Sequence, residues 1–373
     1  MQSSTKKWGN QDIRIGNVLI GEKQPCVVIP EGCDNHHGNL DEAKAIAYAA
    51  KEAGAEIIKF QLHLPAEEMD RKEIAATTST ATFSRWGDLF GFVEQNLLSV
   101  ENHAKLIEFC KSIDIQYFCT PFSLRAAKIL QEIGGDAGFK IGSGETEDLP
   151  MVEEVARMGR PMIVSTGMTR LDEIDLTAEA INQYGTPFAF AHCISAYPPP
   201  SFHDLHLGAI QMLRERYGVL TGFSDHTPPE GTKSPHGDVT ISENEIVWAV
   251  IANGARFIEK HFTTDRNAND ADSWFSHDKK TLKRLIETVR NAEAAMDNDK
   301  RDIFEAEKGV HLWAKRSLFA SVDIPQGTVI RREMLTSKRP GTGIRSKNYK
   351  AIIGRMTRVD VKKDQMIQLE DLF

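Results

Sequence analysis

Eight short β-prone runs recur through the first 263 residues, and most gaps between them carry a helical pattern. The runs fall at 26–32, 57–63, 116–122, 139–144, 161–167, 188–193, 219–226 and 257–263. In "NLDEAKAIAYAAKEAGAE", Asn39 with Glu42 reads as a capping box, Ala and Ile recur at helical spacing, and Gly54 stands where a C-cap is needed. "TRLDEIDLTAEAINQYG" repeats the plan, with Thr169 as N-cap and Asp172 three residues later, and "SENEIVWAVIANGA" fills the last gap. Eight strands alternating with helices predict a (β/α)8 TIM barrel, which takes about 250 residues. A doubly wound open sheet would have fewer strands and a GxGxxG turn after the first. Here that turn reads "EGCDNHHG".

The 373 residues exceed one ordinary domain and suit a barrel plus a small module. Residues 1–290 are expected to form the barrel domain and 291–313, rich in charge, a linker. Residues 314–373 carry short β-type runs with turn signals at Pro325–Gly327 and Pro340–Gly343, so they read as a small, mostly β module. At about 60 residues such a module is marginal alone and is expected to dock on something.

A net charge of −8 gives no sign of nucleic-acid or membrane binding, yet leaves room for a local basic pocket holding a small anion. The five cysteines contain no CxxC and read as free thiols of a reducing compartment. No apolar run approaches the ~18 residues of a membrane span, and the N-terminus lacks the apolar core of a signal peptide, so a cytoplasmic location is expected.

Active sites of this barrel lie at the C-terminal ends of the strands. There this sequence places Glu31; Lys59 and Gln61; Thr120; Lys140, Ser143 and Glu145; Ser165 and Thr166; Ser195 and Tyr197; Ser224, Asp225 and His226; and Glu259, Lys260 and His261. A single polar strand end is ordinarily a cap or a surface group; eight in succession predict a site. His226 and His261 end strands that become neighbours on closure. They either share a divalent ion or are two ordinary histidines with hydrogen-bond partners, and no HxH or HExxH pattern decides. Strand alternation puts Glu259 and His261 on one face, with Lys260 opposite as a solvated cation or a buried ion pair. Lys59 and Lys140 are either one Schiff-base lysine with company or two charged lysines of an anion site. Ser143, Ser165, Thr166 and the helix N-terminus after "STGM" favour the anion site. His36 and His63 are read as loop residues near the site or on the surface, and His192 and Cys193 as structural.

The segments "EGCDNHHGNLDEAK", "GAEIIKFQLHLPAEEM", "CTPF", "KIGSGE", "STGM", "HCISAYPPP", "FSDHT", "IEKHF" and "KRPGTGI" occur in order at barrel spacing. Together they make the chain resemble the sialic acid synthase family across nearly its whole length, with a C-terminal antifreeze-like (SAF, β-clip) module. The resemblance implies a transferase that condenses phosphoenolpyruvate with an N-acyl-mannosamine type sugar, giving a nine-carbon nonulosonic acid and phosphate. It assigns phosphoenolpyruvate to Lys59, Thr120, Lys140, Ser143, Ser165 and Ser224, with Ser195 a departure from the pattern. Mn2+ or Mg2+ would sit on His226 and His261, and the open-chain sugar would meet Gln61, Glu145, Tyr197 and Asp272. Glu31 would be the acid/base group. Trp313 would pack near the sugar, and Arg339 would arrive from the other subunit of a domain-swapped homodimer. The loop Asp270-Ala271-Asp272 also departs from the family's pattern.

Within the family, the sugar is expected to be N-acetylmannosamine, with the 2,4-diacetamido-trideoxy sugar of a legionaminic acid synthase as the alternative. A metal-dependent hydrolase on the same barrel would need more ligands than "DNHHG" supplies. A non-catalytic carbohydrate-binding protein would not need Lys59, Lys140, His226 and His261 together.

Overall fold

The computed structural model describes residue 8 and residues 12–80, 88–268, 272–296 and 301–373. Eight parallel strands form one sheet: β1 (Val27–Glu31), β2 (Ile57–Leu62), β3 (Gln116–Pro121), β4 (Phe139–Ile141), β5 (Met162–Ser165), β6 (Phe188–Cys193), β7 (Leu220–Asp225) and β8 (Phe257–His261). Their order, β3-β2-β1-β8-β7-β6-β5-β4, sets β8 against β1 and leaves only the sequence neighbours β3 and β4 without a ladder. This is the near-closed TIM-type barrel expected from the alternation.

A helix follows each strand: α1 (Leu40–Ala53), α2 (Val100–Ser112), α3 (Leu124–Glu132), α4 (Leu149–Arg157), α5 (Leu171–Asn182), α6 (Gly208–Tyr217), α7 (Glu243–Ala252) and α8 (Lys279–Met296). Asn39 caps α1 by accepting from the N–H groups of Asp41 and Glu42, and Gly54 ends it at φ 100°. The capping box is only half made, because the Glu42 carboxylate lies 2.8 Å from His37 Nδ1 instead. The start of α5 differs from expectation. Arg170, not Thr169, is its N-cap, and Glu173 accepts the Arg170 N–H at 2.6 Å, while the Thr169 hydroxyl turns back to the Gly167 carbonyl.

Alternation along the strands creates two apolar layers. Val28, Ile58, Phe60, Val164, Phe190, Phe223 and Ile258 point outward into the core shared with the helices. Val27, Ile29, Ile57, Phe118, Ile163, Ala189, Ala191, Leu220 and Phe257 point inward and fill the barrel. Gly222 is required there, since a Cβ on it would stand 2.4 Å from the Phe257 ring. A hairpin that the sequence reading did not find, Ile13–Ile15 with Val18–Ile20, adds its four buried Ile and Val side chains to this inner core.

The inner core stops at a definite level. Two residues past an inward apolar side chain, the chain turns polar: Ile29 to Glu31, Ile57 to Lys59, Phe118 to Thr120, Ile163 to Ser165 and Phe257 to Glu259. Strand register aligns the change, with Glu31 opposite both Lys59 and His261, and Glu259 opposite Ser224.

The chain divides into two compact units, Met1–Asp297 and Asn298–Phe373. In the second, Ser317–Ala320 pairs antiparallel with Leu335–Lys338. Leu318, Ile324, Ile330, Leu335, Ile352, Val361, Ile367 and Leu372 make its core. No helix among the described residues is long and apolar enough to cross a membrane.

Candidate active site

Above the inner core opens a cavity of about 330 Å³. Its wall includes Glu31, Lys59, Gln61, Thr120, Lys140, Ser143, Glu145, Ser165, Tyr197, Ser224, His226, Glu259, His261 and Asp272. Of the expected site residues of the first unit, Ser195 and Thr166 are not on this wall; the Thr166 hydroxyl donates instead to the Ala191 carbonyl at 3.3 Å. The hydroxyl of Ser195 sits beside Gly167, 2.3 Å from where a Cβ on that glycine would be, and 3.8 Å from Cys193 Sγ. Cys193, read as structural, does line the cavity.

Both lysines are buried and aimed inward. Lys59 Nζ donates to Thr120 Oγ1 at 3.0 Å and contacts the Glu31 carboxylate. Lys140 Nζ donates to Ser165 Oγ at 2.8 Å. Glu259 stands between them, 3.4 Å from each ammonium, and accepts from Ser224 Oγ at 3.2 Å. Alternation placed Glu259 on the inner face with His261, as a supporting or packing group; its place as the shared counter-ion of two cations on distant strands exists only after closure. Burial disfavours its charge, but Lys140 and Lys59 outweigh that and hold its carboxyl well below the usual range. Burial likewise opposes charge on Lys59, yet Glu259 and Glu31 keep the ammonium protonated, above its ordinary pKa. A Schiff-base lysine needs the opposite shift, so Lys59 suits an anion site.

The expected helix contribution is absent. The first turn of α5 carries Asp172 and Glu173, and none of residues 169–173 lines the cavity. Anion binding here rests on lysines and hydroxyls.

Lys260 faces outward, as alternation required, and is a buried ion pair rather than a solvated cation. Its Nζ lies 2.9 Å from Asp225 and 3.2 Å from Glu243 of α7, and donates to the Thr227 carbonyl at 2.7 Å. Glu243 in turn contacts His277 Nε2 at 2.6 Å. This cluster pins the ends of β7 and β8, the strands that carry the two histidines. Lys260→Met strands two buried carboxylates and is expected to cost about 3–5 kcal/mol, read as a lower urea midpoint.

His226 Nδ1 pairs with the Ile194 carbonyl at 2.9 Å, which fixes the tautomer and leaves Nε2 with a lone pair. Burial, aided by neighbouring His261, lowers its pKa to about 4, so the ring is neutral at pH 7. The two imidazole centroids are 5.2 Å apart. His261 Nδ1 makes no hydrogen bond and lies 3.4 Å from Asp272 Oδ2. Cys33 Sγ donates to the same oxygen at 3.1 Å. The neutral His226 imidazole, a carboxylate and a buried His261 nitrogen without a hydrogen bond fit a divalent metal ion.

Comparison with known proteins bears on this site directly. Residues 46–301 match the family model described as the NeuB family, and residues 315–372 match the SAF domain. An N,N'-diacetyllegionaminic acid synthase of Campylobacter jejuni is 31% identical over 92% of this chain and 98% of its own. The chain belongs to the NeuB family. A second relative, the N-acetylneuraminate-9-phosphate synthase of Homo sapiens, is 28% identical over 94% of each chain. Among solved structures, the N-acetylneuraminic acid synthetase of Leptospira borgpetersenii, in complex with citrate, superposes with a TM-score of 0.69 at 27% identity. The match covers 81% of this chain and 95% of that one.

In this NeuB-family chain the remaining residues sort as follows. Gln61 Oε1 lies 3.0 Å from His63 Nε2, whose Nδ1 is 2.8 Å from Glu68. Burial would lower the His63 pKa, but Glu68 and Asp34 raise it. Glu145 lines the cavity with its carboxyl pushed up to about 7, by burial and then by Glu68. Tyr197 packs 4.2 Å from the His226 ring. His36 is not on the surface: it is 1% exposed, packs 6.0 Å from the Phe60 ring and lies off the cavity wall. His192 is structural, 2.8 Å from the Leu205 carbonyl. Trp313 and Arg339 lie in the second unit, where the guanidinium sits 5.2 Å over the indole ring. Asp270 and Ala271 lie outside the described residues. The sequence reading missed Glu259 as a counter-ion and Cys33 as a wall residue; the unbroken polar stretch from Glu31 was the available signal for the latter.

Proposed function

We propose that this protein condenses phosphoenolpyruvate with the open-chain form of an N-acyl amino sugar, adding water and releasing phosphate, to give a nonulosonic acid. The observation that carries the reading is the pair of inward-facing lysines, Lys59 and Lys140, set among Thr120, Ser165 and Ser224 beside His226 and His261. Lys59 and Lys140 hold the phosphate and carboxylate of phosphoenolpyruvate, and the serine and threonine hydroxyls, Ser143 included, orient it. Gln61, Glu145, Tyr197 and Asp272 meet the sugar. C3 of phosphoenolpyruvate attacks the aldehyde carbon. Water then adds to the cationic C2 and gives a proton to Glu31, whose Oε1 is oriented by the Cys33 N–H at 2.8 Å. Phosphate leaves by C–O cleavage. A divalent ion held by His226 and His261, Mn2+ or Mg2+ in the first instance, would polarise the sugar aldehyde as a Lewis acid.

N-acetylmannosamine is the first sugar to try. The 2,4-diacetamido-trideoxy sugar is the second, favoured by the legionaminic acid synthase relative and by the apolar wall of Leu89, Phe92 and Val93, which suits a deoxygenated sugar carbon. The test is phosphate release from phosphoenolpyruvate with Mn2+, with each sugar and with neither. Sugar-dependent release supports the synthase, and the faster sugar names the substrate; no release with either sinks this reading.

We further propose that the charged stretch after α8 links the barrel to the SAF unit of a domain-swapped dimer, so that Arg339 of the partner subunit binds the sugar's N-acyl group. Arg339→Ala is then expected to raise KM for the sugar about tenfold to a hundredfold, the worth of a charged hydrogen bond. KM for phosphoenolpyruvate should stay unchanged. An unchanged sugar KM removes the contact.

A further inference from the structure

One side chain of the cavity wall has no part in the reaction proposed above. Cys33 lies two residues beyond the end of β1, 6% exposed, beside Asp272 and His261. We propose that Cys33 is a further ligand of the ion assigned above to His226 and His261, its thiolate joining the set beside His261 and Asp272. The proposal deepens the reading of the site as metal-dependent and rests on it.

The geometry is specific. Cys33 Sγ and His261 Nδ1 approach the same Asp272 oxygen, at 3.1 and 3.4 Å. One donor atom from each of the three residues lies within 4.8 Å of the other two. Metal–ligand bonds of about 2.0–2.3 Å allow two donors of one ion to stand at most about 4.6 Å apart, so the triad needs little closure. His261 is 7% exposed, and its Nδ1 has no hydrogen bond, which points to a ligand independently of the thiol. The backbone at Cys33 adds a second line. Its φ is 48°, a left-handed conformation that glycine adopts without strain. A side chain thus stands where the backbone would favour none.

On coordination a sulfur–metal bond forms, the S–H bond breaks and the proton passes to solvent. A thiolate in the ligand set shifts preference from Mg2+ and Mn2+ towards softer ions such as Zn2+ and Co2+. The experiment is the absorption spectrum of the full chain, stripped of metal and reloaded with Co2+. A thiolate-to-cobalt charge-transfer band in the near ultraviolet is expected. It should vanish in Cys33→Ser and persist in Cys193→Ser, the control for the other thiol on the wall. Co2+ affinity should fall about tenfold or more in Cys33→Ser, as losses around metal sites do. Cys33→Gly, which relieves the left-handed backbone, gives a second variant able to fold if serine is not tolerated, and it too should lose the band. Visible cobalt bands without the charge-transfer band, or an unchanged band in Cys33→Gly, would overturn the proposal. Failure to bind Co2+ at all would overturn it together with the metal reading. A thiolate band in a protein that releases no phosphate would uphold the ligand and refute only the proposed reaction.

Discussion

His226→Ala and His261→Ala are each expected to lower turnover by about 10³-fold or more, in line with losing an electrophile worth several kcal/mol at the reacting carbonyl. The fold should persist, because neither ring is a packing keystone of the inner core: both lie above the level at which Phe257, Leu220 and Ile29 fill the barrel. Circular dichroism and the urea midpoint check that part. A chelator should bring the wild type down by a similar factor, and added Mn2+ should restore it. The two alanine variants should recover poorly, since each lacks one of the two imidazoles that line the cavity. Full activity in either variant after metal stripping would remove the metal from the mechanism.

Lys59→Met should lower kcat/KM for phosphoenolpyruvate by about 10²–10³-fold, the range seen when one preorganised donor to a developing charge is removed. Two consequences separate this from a simple packing loss. Glu31 and Glu259 lose their common cation, so stability should drop by about 3–5 kcal/mol, as for a broken buried ion pair. Lys59→Arg should not rescue activity, because a planar fork cannot replace a compact ammonium set between Thr120 and two carboxylates. Borohydride in the presence of the open-chain sugar or of a 2-keto acid such as pyruvate should trap no adduct on Lys59, whose neighbours keep it protonated. A reduced adduct would revive the Schiff-base reading and displace the anion site.

Much of this site was legible in the chain because a barrel strand has a period of two and a defined polar end. Once eight runs were recognised, inward positions followed by counting, and Lys59, Thr120, Lys140, Ser165, Ser224 and His261 fell on the cavity wall. Counting also sent Lys260 to the opposite face. It could not say whether that face was wet, since the answer depends on α7 laying Glu243 against it, from a helix read without regard to β8. Ser195 shows the reverse failure. Its position after β6 suggested the cavity, but its hydroxyl lies beside Gly167 and off the wall. The N-cap of α5 slipped by one residue for a local reason: Glu173 reaches the Arg170 N–H, and a serine or threonine nearby is only one candidate for that place.

By itself the sequence determined the strand count, the helical gaps, the polar strand ends and the small β module after the barrel. Each of these is encoded in residues close together in the chain. The tertiary structure decided which charges answer one another. Glu259 became the counter-ion of Lys59 and Lys140, 200 and 119 positions away, and Cys33 came to share an oxygen with His261 through Asp272. Such pairings depend on ring closure, which brings β8 against β1. Their energies arise from burial in a cavity that no single strand possesses.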